Sequence, residues 1–196
     1  NDAKKLGSGS AAKESYALAY KAYRVYLSEF ANSKYSYEVR YAFAELLYKV
    51  KKYDEAYEQY MKVVETDTKG KHAEFCASSA VFAADKMVKK TVGKQKAAPG
   101  KSTAPIELEE WEQKLLAALD QYAKLFPNEK KTRNIIYRSA YLLYNKNQFK
   151  EASDRFRVVI GMNPKSKEAE QAAELILDSF TLVEDWTNLK DVSKAF

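Results

Sequence analysis

The chain has 196 residues, of which 46% are apolar and 31% are charged, a composition typical of a folded protein rather than a disordered one. No apolar run reaches the roughly 18 to 20 residues that a bilayer crossing needs. The single cysteine, Cys76, excludes an internal disulfide and a cysteine-built metal site. The net charge of +6 arises in one segment, because the stretch from Lys86 to Ile106 contains lysines and no acidic residue.

The N-terminal residues NDAKKLGSGSAA are mostly small or polar and predict a flexible segment over 1–12. The next stretch, Glu14–Phe30, predicts one helix. Apolar residues then recur at steps of three and four through Tyr37–Val50 and through Asp54–Thr66. This spacing predicts two helices separated by a short break.

This pair of helices occurs twice in the sequence. A shift of 96 residues places LLYKVKKYDEA, which ends at Ala56, on LLYNKNQFKEA, which ends at Ala152. An aromatic residue follows each alanine by four positions, Tyr60 in one copy and Phe156 in the other, so alanine and ring share a helix face. A helix pair of this size cannot bury its own apolar stripe, and stacking on neighbouring pairs is the physical solution.

The two copies resemble the tetratricopeptide repeat (TPR), a helix-turn-helix unit of about 34 residues. The resemblance covers Tyr37–Gly70 and Arg133–Ser166, and its closing proline is Pro164 in the second copy but Thr68 in the first. It implies an all-α fold, a right-handed α-solenoid of antiparallel helix pairs. The predicted units are a half repeat (13–36), a repeat (37–70), a repeat interrupted by a basic insertion at 91–106 (71–132), a repeat (133–166) and a final repeat (167–196). The interrupted repeat has its predicted helices at Lys71–Lys90 and Glu107–Phe126.

The segments YRVYLSEFANS and YAKLFPNEK further resemble repeats of bacterial envelope proteins. These are the outer-membrane assembly lipoproteins, the Tol-Pal coordinator protein and envelope TPR proteins of gliding and predatory delta-proteobacteria. The resemblance implies a periplasmic or envelope-associated protein in a bacterium, with the cytoplasm as the alternative.

No catalytic signature is present in the sequence. His72 lies one helical turn before Cys76, but nothing marks the orienting group and oxyanion site that a catalytic pair needs. The glycines form no phosphate-binding loop. We therefore expect no catalytic residues, no cofactor and no metal.

In proteins of this type the first helix of each repeat lines a concave groove, where tyrosine offers a rigid apolar body and a polar tip. The resemblance implies a scaffold that binds a peptide or helix of another protein there, as part of an envelope assembly. Tyr41 and Glu45 occupy positions where chaperone-tail-binding members carry a lysine and asparagine clamp, so we do not expect that clamp. The predicted groove residues are Tyr41, Glu45, Tyr48, Lys49, Phe75, Phe82, Tyr137, Tyr141, Tyr144 and Asn145.

Two alternatives stay open at this point. The repeats could act as a structural spacer or oligomerisation segment of a larger protein, and the oligomeric state is open. The basic insertion could contact an acidic partner, phospholipid headgroups at the envelope surface or nucleic acid phosphates. No aromatic residues interleave its lysines, which disfavours nucleic acid. The residues of this basic loop are Lys89, Lys90, Lys94, Lys96 and Lys101.

Overall fold

The computed structural model describes residues 10–91 and 103–193, and in these residues it contains nine α-helices and no strand. The helices are α1 (Ser10–Glu29), α2 (Ser36–Lys49), α3 (Tyr53–Thr66), α4 (Ala73–Thr91), α5 (Glu110–Leu125), α6 (Thr132–Tyr144), α7 (Phe149–Met162), α8 (Lys167–Leu182) and α9 (Trp186–Ser193). The chain divides into two compact units, Asn1–Met87 and Val88–Phe196. Among the described helices, none combines the length and apolar content that a bilayer crossing requires.

The link between paired helices is the same short turn at three places. A residue two or three positions after the last residue of the first helix has a left-handed backbone: Lys51 has φ 64°, Asn147 has φ 57° and Glu184 has φ 56°. The next backbone N–H donates to the carbonyl five residues earlier: Lys52 to Leu47 (2.9 Å), Gln148 to Leu143 (3.0 Å) and Asp185 to Phe180 (2.9 Å). This is the hydrogen bond of a Schellman cap, which satisfies carbonyls at the helix end. The chain thereby reverses, so the two helices of a pair pack antiparallel.

The core follows the alternation of small and aromatic residues. Ala152 and Phe156 are fully buried, and so are Ala56 and Tyr60 at the equivalent positions of the first unit. In the second unit they belong to a core built from three successive helices, α6, α7 and α8: Ala140, Leu143, Ala152, Phe156, Val159, Ala172 and Ile176. One helix pair is therefore closed by the first helix of the next pair.

Several side-chain bonds between successive pairs join residues 34 or 35 apart. They are Tyr20–Glu55 and Glu38–His72 in the first unit, and Asp120–Arg155, Arg133–Glu168 and Tyr144–Asp178 in the second. This interval equals the unit length that the sequence predicts. The individual repeat boundaries stay a prediction.

Helix α1 begins at Ser10, inside the stretch 1–12 that the sequence predicts to be flexible. Serine is a favoured residue at helix starts, and the following Ala-Ala-Lys-Glu are good helix formers, which explains the earlier start. The preceding residues of that stretch lie outside the described part of the chain.

A buried ion pair joins α5 to the link between α6 and α7. Lys146 Nζ lies 2.6 Å from Glu112 Oε2, and both side chains are buried. Glu112 also accepts the backbone N–H of Glu109 at 2.9 Å and forms a capping box, so α5 starts at Glu110 and not at Glu107.

The end of the predicted insertion 91–106 is fixed to the same link. Ile106 N–H donates to the Lys146 carbonyl at 2.8 Å, and Gln148 Nε2 donates to the Ile106 carbonyl at 3.0 Å. Thr91 at the other end is the last residue of α4.

Removing the ring of Phe156 is expected to open a cavity between three helices. We expect Phe156→Ala to lower the free energy of unfolding by about 3–5 kcal/mol, measured by urea denaturation with circular dichroism. Val158→Ala is the matched control on the same helix, because Val158 is exposed, and it should change stability by less than about 0.5 kcal/mol. Equal losses for the two variants would contradict this account of the core.

Lys146→Met leaves the Glu112 carboxylate buried without its cation. We expect it to lower the free energy of unfolding by about 3–5 kcal/mol. Adding Glu112→Leu should restore most of this loss, since an apolar replacement of a buried ion pair is often neutral; the lost cap would cost about 1 kcal/mol. If the double variant is as unstable as Lys146→Met in urea denaturation, the lost charge pairing is not the cause of the destabilisation by Lys146→Met.

Candidate functional site

The predicted groove residues lie on α2, α4 and α6 or at the end of α6, and each unit is described separately. The first unit carries Tyr41, Glu45, Tyr48 and Lys49 on α2 and Phe75 and Phe82 on α4. The second unit carries Tyr137, Tyr141 and Tyr144 on α6, with Asn145 as its C-cap.

In the first unit, Tyr41 on α2 packs against residues at the start of α4. Its ring stacks on the His72 imidazole, with centroids 3.7 Å apart and 7° between planes. The Phe75 ring meets Tyr41 edge-on at 5.8 Å and remains 45% exposed. His72 Nε2 lies 3.1 Å from Glu38 Oε2. Tyr41 is half-buried, and this burial raises the pKa of its hydroxyl.

Three other predicted residues of this unit make internal contacts. Glu45 accepts a 2.5 Å hydrogen bond from the buried hydroxyl of Tyr60. Tyr48 meets Tyr53 edge-on at 5.2 Å, and burial raises the pKa of Tyr48. Lys49 Nζ lies 5.1 Å from the ring centroid of Tyr16 on α1. In contrast, Phe82 on α4 is 51% exposed.

In the second unit, Tyr137, Tyr141 and Tyr144 form what we call the tyrosine ladder. Their spacing of four and three residues places them on one face of α6. Neighbouring ring centroids are 6.2 Å apart in both steps, with 8° and 17° between planes. Tyr137 rests on Phe156 at 5.6 Å and Tyr144 on Phe149 at 5.7 Å, and both are half-buried. Tyr141 between them is 45% exposed.

Asn145 ends α6 instead of extending the ladder. Its backbone N–H donates to the Tyr141 carbonyl at 3.1 Å, and its side chain is half-buried. The position equivalent to Lys49 in the first unit therefore has a capping role here.

Two carboxylates of α8 flank the ladder. The Tyr144 hydroxyl donates to Asp178, and Glu174 lies one helical turn before it. Burial and then Asp178 raise the pKa of Tyr144. Burial also raises the pKa of Tyr137, with smaller contributions from Tyr141 and Glu174. Each end of the ladder therefore lies near a carboxylate of α8.

Glu174 and Asp178 are not among the groove residues predicted from the sequence. The repeat period contained a signal for Asp178, since it follows Tyr144 by one predicted unit length and so occupies the equivalent helix position. Glu174 could then be predicted as well, because it lies four residues before Asp178 and therefore on the same helix face.

The basic loop is only partly described. Lys89 and Lys90 are exposed in the last turn of α4, while Lys94, Lys96 and Lys101 lie outside the described residues. The Cys76 thiol is buried, and burial raises its pKa to about 12, so it is protonated at neutral pH. Across residues 10–91 and 103–193, no three side chains of His, Cys, Asp or Glu gather as a metal ion would require.

No family model matches this sequence, and a search of curated proteins finds no match. Solved structures do resemble the fold. MamA AMB-1 matches with a TM-score of 0.51 at 15% identity, over 92% of this chain and 85% of that one. A putative kinesin light chain of Podosopora anserina with nearly identical TPR-like repeats matches with a TM-score of 0.50 at 10% identity, over 98% of this chain and 88% of that one. At these identities the likeness shows the fold, and it confirms the predicted all-α helical solenoid of TPR type.

Asp178→Asn is expected to lower the pKa of Tyr144 toward the ordinary tyrosine value of about 10, because a negative charge beside the phenol is removed. The fold holds Tyr144 in its neutral form, so the stability this contributes is present below about pH 10 and is lost as the pH rises further. Nuclear magnetic resonance of carbon-13-labelled tyrosine would follow the titration, with Tyr144→Phe to assign the signal.

The matched control for this titration is Asp154→Asn, which neutralises an exposed carboxylate on α7. It should leave the Tyr144 titration unchanged. If Tyr144 titrates alike in the wild type and in Asp178→Asn, the carboxylate does not act on the ladder as described.

Proposed function

We propose that this chain is a non-enzymatic scaffold that holds segments of another protein against exposed aromatic side chains of its first helices, on α4 in the first unit and on α6 in the second unit. The observation that carries the proposal is the exposure of Phe75 (45%), Phe82 (51%) and Tyr141 (45%) on those helices. Full burial of a large apolar side chain stabilises a fold by about 1.5–3 kcal/mol. These three side chains are only about half buried, so roughly half of that stabilisation is absent. Large exposed rings are typical anchors of protein–protein contacts.

The half-buried tyrosines have a supporting role in this proposal. Tyr41 is stacked on His72, and Tyr144 is held by Phe149 and Asp178, so both side chains are fixed before a partner arrives. Fixed rings lose little conformational entropy on binding, which favours affinity. The remaining predicted groove residues would line the surface around these anchors.

The compartment follows from the sequence resemblance alone. We propose a bacterial envelope location, with the protein in the periplasm or peripherally attached, and the cytoplasm as the alternative. The resemblance of YRVYLSEFANS to envelope repeats supports the first of these.

A stacking role is the second candidate, and α1 favours it. Leu18 and Val25 on α1 are 68% and 62% exposed. A groove of about 830 Å³ runs along this helix, lined by Tyr16, Tyr20 and Val25 among others. An apolar helix face of this kind could pack against a further helix pair.

An affinity capture from lysate of the source organism separates these candidates. We expect Phe75→Ala/Phe82→Ala/Tyr141→Ala to lose a partner that the wild-type bait retains, with helicity unchanged by circular dichroism. The matched control, Leu18→Ala/Val25→Ala/Val158→Ala, removes three apolar side chains elsewhere that are at least as exposed, and it should retain the partner.

The opposite pattern, loss with the control variant and retention with the aromatic variant, would favour stacking through α1. Identical capture by all three baits would show that the first-helix aromatics are not the interface.

A further inference from the structure

We infer that the second unit binds an arginine-bearing segment of a partner protein along the tyrosine ladder, between the rings of α6 and the carboxylates of Glu174 and Asp178. This inference rests on the proposed scaffold function and names the chemistry of the occupant.

The ladder offers a continuous aromatic surface to a planar cation. Its three rings are nearly parallel and evenly spaced along α6, and Tyr141 at the centre is the most exposed. A guanidinium within about 6 Å of a ring centroid is attracted by the ring quadrupole and can stack on its face. No cation occupies these rings within the described residues, although Lys52 lies over Tyr20 and Lys114 over Trp111 elsewhere.

The neighbouring carboxylates have room for additional donors. Asp178 accepts one hydrogen bond from Tyr144, and a carboxylate offers about four lone-pair sites. Within residues 103–193, neither Asp178 nor Glu174 forms an ion pair, whereas Glu168 on the same helix is paired with Arg133 at 3.3 Å. A bound arginine could stack on a ring and direct its fork of donors to these two groups.

The carboxylates beside the ladder, and not the net charge of the chain, determine which kind of peptide segment can bind there. A net charge of +6 would favour an acidic partner in general. An acidic segment on the ladder would face two like charges, which is unfavourable at an interface. The first unit differs, because the 96-residue shift places uncharged residues, Ser78 and Phe82, at the positions of Glu174 and Asp178. The inference therefore applies to the second unit.

The test uses a short fluorescent peptide of alternating glycine and arginine, with glycine–glutamate and glycine–glutamine peptides of the same length. Fluorescence anisotropy with the full chain should show binding of the arginine peptide and little binding of the other two. Glu174→Gln/Asp178→Asn should weaken binding about tenfold, and Tyr141→Leu should weaken it about fivefold.

The matched control is Glu129→Gln/Glu151→Gln, which removes two exposed carboxylates of the same unit away from the ladder. It changes the net charge equally and should alter the affinity by less than about twofold, because exposed charges at a distance are screened. An equal loss in the control pair would mean unspecific attraction and would overturn the inference. So would equal binding of the glutamate peptide, or no effect of Tyr141→Leu.

Failure of this inference is distinguishable from failure of the scaffold proposal. If the first-helix aromatic variant loses a captured partner while Glu174→Gln/Asp178→Asn changes neither that capture nor the peptide affinity, the scaffold stands and the arginine-bearing occupant is excluded. If the aromatic variant loses no partner, the scaffold itself is contradicted.

Discussion

The structure depends on one packing constraint: a pair of short helices has too little apolar area to stand alone, so each pair must be closed by the next. Alanine lets the helices approach, and a ring four residues later fills the space. Ala152 and Phe156 show this in the second unit, where α8 covers the pair with Ala172 and Ile176. The recurrent bonds between residues 34 or 35 apart follow, because equivalent positions of successive pairs lie side by side.

The same constraint decides which aromatic rings reach the surface. Tyr60 on α3 and Phe156 on α7 are fully buried in the core. On α2, α4 and α6 the exposure of a ring depends on which side of the helix it occupies: Phe43 is buried, whereas Phe75, Phe82 and Tyr141 are about half exposed. Tyr41 is covered by His72. Tyr141, within residues 10–91 and 103–193, has ring contacts only with Tyr137 and Tyr144 of its own helix and stays exposed. The candidate binding surface therefore consists of the aromatic side chains that are not buried between stacked helices.

Periodicity and the internal repeat were sufficient to predict the helices and the fold class, because both depend on which residues face the core. They were not sufficient to predict contacts made by helix ends and by the links between helices. The Lys146–Glu112 pair joins a link to a helix start, and no repeat copy carries it, since the position equivalent to Lys146 is Val50. Periodicity assigns Tyr48 to one face of α2, but the depth of its burial depends on the ring of Tyr53.

The most direct test of the central claim, that the open rings and flanking carboxylates of the second unit form a binding surface, is chemical-shift mapping. Isotope-labelled protein would be titrated with the glycine–arginine peptide and followed by nuclear magnetic resonance. We predict that the largest shifts fall on α6 around Tyr141 and on α8 between Glu174 and Asp178. Shifts concentrated on the outer face of α7 or on α1, or spread evenly over exposed acidic residues, would contradict the account.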